Sequence, residues 1–153
     1  MARIVVGVDD SDGSHRALAW AAEEAALRGA TLQVVHVYDP PQSWWAYSDD
    51  GGMTAATSEA VRDQLEEASE LAKREADAFV ARITEGIDVP IEATTVEATR
   101  PAPVLIGHSE GADLLVVGSR GRGGFSGLLL GSVSQQAAAH AHCPVVVVQA
   151  DDA

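Results

Sequence analysis

Apolar and polar residues alternate in blocks along this chain, and the blocks predict strands and helices in turn. Short continuous apolar runs predict strands that are covered on both faces, whereas apolar residues recurring every three or four positions predict amphipathic helices. The predicted strands are residues 4–8, 32–37, 89–96, 113–118 and 145–148. The predicted helices precede Gly29 and then cover residues 61–83, 100–111 and 132–142. In the first helix the buried stripe would be Ala17, Leu18, Ala21, Ala22 and Ala25.

Strands that alternate with helices predict a parallel sheet with helices on both faces, because such crossovers are right-handed. The length of 153 residues suits one domain, so we expect a single open, doubly wound, Rossmann-like α/β domain over residues 1–153. The strands at 4–8 and 113–118 are the most continuously apolar, which predicts that they form the centre of the sheet. Ligands of such sheets bind beyond the carboxyl ends of the strands, where the strand order reverses.

A glycine-rich segment, residues 118–132, follows the fourth predicted strand and contains six glycines. A strand-to-helix connection needs only about 2–6 residues, so the excess calls for another explanation. Glycine allows close approach of a backbone to a ligand, and the next helix would offer N–H groups where its dipole favours an anion. The dinucleotide and P-loop patterns do not fit, but Gly118, Gly121, Gly131 and Ser132 fit G-x-x-G, nine residues, then G-S. The segment predicts a phosphate-binding loop, and a flexible loop without a ligand is the alternative.

Charge and composition narrow the classes of partner. The net charge of −13 argues against nucleic acid or an anionic membrane surface, because both attract clustered Lys and Arg. No apolar stretch approaches the roughly 18 residues of a membrane span. The single cysteine excludes an intrachain disulfide, and no signal-peptide pattern opens the chain, so we expect a cytoplasmic protein. A polyphosphate bound to so acidic a chain would require Mg²⁺ or Mn²⁺.

Other candidate groups lack the spacing that chemistry requires. His140 and His142 stand two positions apart on a predicted helix, so their imidazoles would point to opposite sides, and no zinc spacing involves Cys143. No Ser-His-Asp arrangement or G-x-S-x-G motif occurs. We therefore predict neither metal-ligating nor catalytic residues. A long loop at 39–57, with Trp44, Trp45 and Tyr47, would close over a nucleotide or a partner, or else cover the long helix or a dimer edge.

Several motifs together resemble the ATP-binding branch of the universal stress protein family over nearly the whole chain. They are I-V-V-G-V-D with D-G-S, V-V-H-V, D-L-L-V-V-G-S-R-G, L-L-L-G-S-V-S and C-P-V-V-V-V. The resemblance implies five strands in the order 3-2-1-4-5, which places the first and fourth strands side by side. It also implies that the fifth strand, Val145–Val148, pairs with its two-fold mate in a homodimer. An uncovered strand of four valines calls for such a cover.

The resemblance also implies roles for individual residues. The glycine pattern would hold the phosphates and ribose of ATP, Asp9 would lie near the adenosine, and the backbone of Val37 would hold the adenine. Asp9 as a cap of the first helix, Val37 as an ordinary strand-end valine, and Arg120 as a solvated rather than charge-screening side chain remain open alternatives. The candidate cofactor-binding residues are Asp9, Val37, Val117, Gly118, Arg120, Gly121, Gly131, Ser132, Val133 and Ser134.

The resemblance implies a stress-response regulatory protein that binds ATP and acts through partner choice, with at most slow hydrolysis or autophosphorylation. Enzymes of the related adenine-binding superfamily that activate substrates carry an S-G-G-x-D-S type loop after the first strand, and this chain has D-D-S-D-G-S there. The alternatives are a dimeric interaction module that binds no nucleotide and an ATP-dependent enzyme with a second pocket under the loop at 39–57.

Overall fold

The computed structural model describes residues 1–9, 11–39, 55–121, 127 and 129–149. Its strands are β1 (Arg3–Val8), β2 (Thr31–Tyr38), β3 (Ile91–Glu97), β4 (Leu114–Gly118) and β5 (Val145–Val148). Its helices are α1 (Asp12–Arg28), α2 (Ala55–Ile83), α3 (Pro101–His108) and α4 (Ser132–His140). Strand and helix alternate along the chain, as the apolar pattern predicted.

The five strands form one parallel sheet in the order β3-β2-β1-β4-β5, which confirms the expected topology. The central strand β1 pairs with β2 on one side and with β4 on the other, so that Val5 lies between Gln33 and Leu115. The strand order reverses between β1 and β4. The carboxyl ends of these two strands therefore flank the switch point of the sheet.

Both faces of the sheet are covered by apolar side chains. Ile4 and Val6 pack with α1 and α2 on one face, whereas Val5 packs with α3 and α4 on the other. All three side chains have zero exposure to solvent, which explains why the first strand is continuously apolar. The predicted stripe of α1 is likewise fully buried, and Gly29 ends this helix with φ of 61°.

Several element boundaries differ from the prediction, and two of the differences have a clear origin. Helix α2 begins at Ala55 rather than at residue 61, so the connection after β2 is shorter than its composition indicated. Helix α3 ends at His108, because the Ser109 hydroxyl donates to the Ile106 carbonyl and closes the last turn. Gly111, the predicted last residue of this helix, lies instead in the following turn with φ of 70°. Trp44, Trp45 and Tyr47 lie outside the described residues.

Within the described part of the chain, no helix combines the length and the apolar character that crossing a membrane demands.

Candidate functional site

A cleft of about 880 Å³ opens beyond the carboxyl ends of β1, β2 and β4. A smaller hollow of about 80 Å³ adjoins it and is shared by several of the same residues. Eight of the predicted site residues line the cleft: Asp9, Val37, Gly118, Gly121, Gly131, Ser132, Val133 and Ser134. The other two, Val117 and Arg120, line the hollow. The fold thus brings all the predicted site residues to the position where ligands of doubly wound sheets bind.

Asp9 organises the turn between β1 and α1. Its Oδ1 accepts hydrogen bonds from the Ser11 backbone N–H at 3.1 Å and from the Ser11 hydroxyl at 2.5 Å. Ser11, not Asp9, is the N-cap of α1, because its Oγ accepts the Ser14 N–H. The Ser14 hydroxyl oxygen in turn accepts the Asp9 N–H at 2.8 Å. Asp9 therefore acts on the capping residue rather than on the helix itself, and its second oxygen, Oδ2, faces Gly121.

The glycines that follow β4 are needed for space. A Cβ added to Gly118 would lie 3.0 Å from the carbonyl carbon of Gly13, and one added to Gly121 would lie 2.5 Å from Oδ2 of Asp9. Neither glycine has a positive φ, so conformational freedom does not explain them. The backbone of residues 118–121 lies directly against α1 and the Asp9 turn. A larger residue at position 118 would press on the Gly13 backbone, and one at position 121 would displace either the segment or the Asp9 carboxylate.

Helix α4 begins at the cleft with its amide groups uncapped. Gly131 is the N-cap and provides no side chain, while Ser132, Val133 and Ser134 form the first turn. Ser132 and Gln135 have the spacing of a capping box, but the Gln135 side-chain amide donates to the Leu130 carbonyl instead. The first N–H groups of a helix have no partner within the helix, so this turn presents donors at the positive end of the helix dipole.

The side chains of α4's first turn differ in what they offer a ligand. The Ser134 hydroxyl is buried and donates within the protein, lying 2.9 Å from the Ser119 carbonyl and 3.0 Å from that of Gly131. Its backbone N–H is therefore the group left for a ligand. Ser132 is exposed at the cleft, and Val133 packs on the apolar face beside α3 and α4.

Helix α3 also begins at the cleft but offers fewer donors. Pro101 and Pro103 lie in its first turn, and proline has no backbone N–H. The nearby Val37 is paired with Val96 and packs on the same apolar face, while Val117 is buried there. The cleft is consequently rich in N–H donors at the α4 end and apolar at the α3 end.

The prediction missed the walls that elements distant in sequence provide. Ala68, Leu71 and Glu75 of α2 line the cleft, as do residues 98–103, which comprise the connection after β3 and the first turn of α3. Residues 98–103 could have been predicted from the sequence, because β3 is parallel to β1 and its carboxyl end lies at the same edge of the sheet. Leu71 is half exposed, and nothing in the sequence marked it as a site residue.

The fold and the cleft define an open, doubly wound α/β protein of the Rossmann-like class, with a glycine-lined site at the switch point of its sheet. Residues 1–149 match the universal stress protein family, and the chain belongs to that family. The chain spans about half the length of the curated relatives it matches.

Relatives and solved structures agree with this membership. A universal stress protein of Mycobacterium tuberculosis is 33% identical over 150 residues, which cover 97% of this chain and 48% of that protein. A universal stress protein solved in complex with cAMP is 29% identical, covers 97% of this chain and 96% of its own, and superposes with a TM-score of 0.58. One from Archaeoglobus fulgidus, in complex with dAMP, shares the fold at 24% identity and a TM-score of 0.53, covering 97% and 98% of the two chains.

Proposed function

We propose that this chain is an ATP-binding universal stress protein that regulates partners through nucleotide binding in the cytoplasm. The observation that supports it most strongly is the convergence of three features on one cleft. They are the Asp9 carboxylate, the backbone of residues 118–121 and the first turn of α4. The nucleotide would place its phosphates at α4 and its base toward the apolar end near Pro101 and Val37.

The packing of residues 118–121 fixes one wall of the cleft. Cβ atoms at Gly118 and Gly121 would meet the Gly13 backbone and Asp9, so these glycines hold the segment tight against the β1–α1 turn beside the cleft. The uncapped amides of Ser132, Val133 and Ser134 suit phosphate oxygens, and the Asp9 carboxylate suits hydroxyl groups of a ribose. A relative at 29% identity was solved with cAMP, which supports an adenine nucleotide as the ligand class.

Electrostatics support a divalent cation that arrives with the phosphates. The charged residues described along the cleft and the adjoining hollow are Asp9, Asp39, Glu75, Arg100 and Arg120. The whole chain carries a net charge of −13. A triphosphate bound mainly by neutral N–H groups in this field is stabilised by Mg²⁺ or Mn²⁺, which usually bind through substrate phosphates and few protein ligands.

Binding rather than turnover is favoured by three serine hydroxyls around the site that are engaged within the protein, whereas the Ser132 side chain is exposed at the cleft. The Ser11 hydroxyl is bonded to Asp9, the Ser14 hydroxyl accepts the Asp9 N–H, and the Ser134 hydroxyl donates to a backbone carbonyl. These groups fix the geometry of the turn and of α4. We therefore propose a regulatory ligand site with at most slow hydrolysis or self-phosphorylation.

A homodimer through β5 is part of the same proposal. In the described residues β5 pairs only with β4, and all four of its valines are half buried within one protomer. An open edge of strongly β-forming residues suits pairing with a second copy. A dimeric interaction module that binds no nucleotide would share this edge, so the two functions differ only in the cleft.

The deciding experiment is identification of the bound ligand followed by titration. Protein purified without added nucleotide is denatured, and the released small molecules are identified by mass spectrometry. A second, folded sample from which bound ligand has been removed is then titrated calorimetrically with ATP, cAMP, AMP and GTP, each with and without Mg²⁺. Saturable binding of ATP, tighter than that of GTP, supports the proposal. No binding of any adenine nucleotide overturns it and leaves the interaction module.

A further inference from the structure

The first turn of α1 and the end of β4 touch backbone to backbone through two glycines. A Cβ added to Gly13 would lie 2.7 Å from the carbonyl oxygen of Arg120, and one added to Gly118 would lie 3.0 Å from the carbonyl carbon and oxygen of Gly13. Gly13 is buried in the second position of α1. Alanine is a better helix former than glycine, so helix propensity does not explain a glycine here.

This contact continues into a second one on the far side of the segment. The Ser119 carbonyl accepts the Gly131 N–H at 2.6 Å and lies 2.9 Å from the Ser134 hydroxyl. Residues 118–121 are therefore held between the first turn of α1 and the first turn of α4. The position of this segment is set by both helices, and on the α1 side the contacting residue is Gly13.

We propose that Gly13 is a positioning residue for the phosphate half of the nucleotide site, an inference that rests on the proposed function. A side chain at position 13 pushes the Arg120 carbonyl outward, because a Cβ at 2.7 Å from a backbone oxygen forces the backbone to move. Residues 118–121 move with it and lose register with the amides of α4. Binding groups must be held to about 0.5 Å, so a shift of this kind is sufficient to impair binding.

The same geometry leaves the base half of the site intact. Val37 lies at the end of β2, and Pro101 opens α3. The three atoms nearest to a Cβ at position 13 belong to Arg120 and Gly118, not to Val37 or Pro101. A ligand without phosphates therefore keeps the contacts of its base when Gly13 is replaced, whereas a nucleotide also loses those made by its phosphates.

The test compares ATP with adenosine in Gly13→Ala, using Gly107→Ala as the matched control. Gly107 is also a helical glycine, but a Cβ there meets nothing within 4 Å. For Gly13→Ala we expect the Mg²⁺-ATP affinity to fall at least about tenfold, the worth of one charge-assisted hydrogen bond, with a smaller fall in adenosine affinity. For Gly107→Ala both affinities stay at the wild-type value. Unchanged ATP affinity in Gly13→Ala, or an equal loss for ATP and adenosine, overturns the inference.

A measurement on the unmodified protein covers the case in which Gly13→Ala does not fold. Hydrogen exchange is followed by mass spectrometry with and without Mg²⁺-ATP. Because the first turn of α1 packs against residues 118–121, we expect ATP to slow hydrogen exchange in both. Protection confined to residues 118–121 and α4 overturns the inference. If the wild-type chain binds no nucleotide at all, the proposed function fails first; if it binds ATP and Gly13→Ala binds it equally, only the positioning role fails.

Discussion

A methyl group on Gly121 would lie 2.5 Å from Oδ2 of Asp9, so the backbone of the glycine segment and the carboxylate after β1 share one tightly packed contact. The carboxylate cannot swing away freely, because its Oδ1 is bonded to both the N–H and the hydroxyl of Ser11. Any side chain at position 121 therefore displaces either the segment or the carboxylate. Both belong to the proposed nucleotide site.

The first prediction follows from this contact. Gly121→Ala should weaken Mg²⁺-ATP binding by at least about tenfold, because one hydrogen-bonding group is moved out of reach. Calorimetric titration measures the affinity, and thermal unfolding of Gly121→Ala and of the control Gly107→Ala checks the fold. Gly107→Ala makes the same chemical change in open space and should bind ATP as the wild type does. Equal ATP affinities of the two variants would show that residue 121 lies outside the site.

Two substitutions at Asp9 separate its role in the turn from its role toward a ligand. Asp9→Asn keeps an oxygen that accepts the two bonds from Ser11, so the free energy of unfolding should change little. The loss of the negative charge should nevertheless weaken ATP binding about tenfold if the carboxylate holds ribose hydroxyls. Asp9→Ala removes both bonds to the capping residue and should also lower the free energy of unfolding by about 1–2 kcal/mol. Denaturant unfolding and titration of both variants test this, and wild-type affinity in Asp9→Asn contradicts a ligand role.

The sequence predicted the features that depend on residues close together in the chain. The continuous apolar run around Val5 predicted a strand covered on both faces. The excess of glycines after β4 predicted a backbone that comes close to a ligand, and the structure packs Gly118 and Gly121 against Gly13 and Asp9. The sequence did not reveal contacts between residues that are far apart in the chain, nor which of several capping residues is used. Asp9, Ser11, Asp12 and Ser14 are all good capping residues, and only the fold shows that Ser11 caps α1 while Asp9 holds Ser11.

The contact between Gly13 and Gly118 also could not be predicted from the sequence. No local pattern indicates that Gly13 touches Gly118, because their contact depends on β1 and β4 being neighbours in the sheet. The start of α2 was also misplaced, since the residues after 54 carry no strong apolar period. Predicting the site residues required the resemblance to a family in addition to the glycine spacing.

The open edge of β5 predicts how the dimer can be disrupted without harming the protomer. The Val148 carbonyl accepts the Ser119 N–H, so the backbone groups of Val148 face β4. Backbone groups of successive strand residues face opposite edges, so those of Val147 face outward. Val147→Pro removes an outward N–H, and it should yield a monomer with a folded sheet. Analytical ultracentrifugation at micromolar concentration measures the mass.

Val146→Pro is the matched control for the dimer. Its backbone groups face β4, as those of Val148 do, so the substitution should remove a bond within the sheet and destabilise the protomer. A monomeric wild type under the same conditions contradicts the dimer. So does a Val147→Pro variant that stays fully dimeric.

Cys143 lies just before β5, and its environment predicts slow alkylation. Burial raises the pKa of its thiol, and the nearby Asp113 carboxylate raises it further. The thiolate is the reactive form, so iodoacetamide should react more slowly at pH 8 with the folded chain than with the chain unfolded in urea. The folded chain's rate should rise at higher pH than the unfolded chain's. Because the folded pKa is the higher one, the stabilising contribution of the neutral thiol is present below the unfolded pKa and is lost as the pH rises through the folded value.

Asp113→Asn provides the check on the cause of this shift. Removing the carboxylate should move the alkylation profile only part of the way toward the unfolded chain, because burial is the larger contribution. Equal rates for folded and unfolded chains at pH 8 would contradict the raised pKa.

The last prediction concerns the divalent cation. The chain has a net charge of −13, and the charged residues described along the cleft include three carboxylates and the site's arginines, Arg100 and Arg120. A triphosphate brings more negative charge to this field than a monophosphate does, so its binding should depend more strongly on Mg²⁺. Chelation with EDTA should lower ATP affinity at least about tenfold while leaving AMP and cAMP affinities within about twofold. The same titrations at raised ionic strength should narrow this difference, because salt screens the repulsion. ATP affinity that is indifferent to EDTA would show that the protein's own N–H groups and arginines suffice to hold the triphosphate.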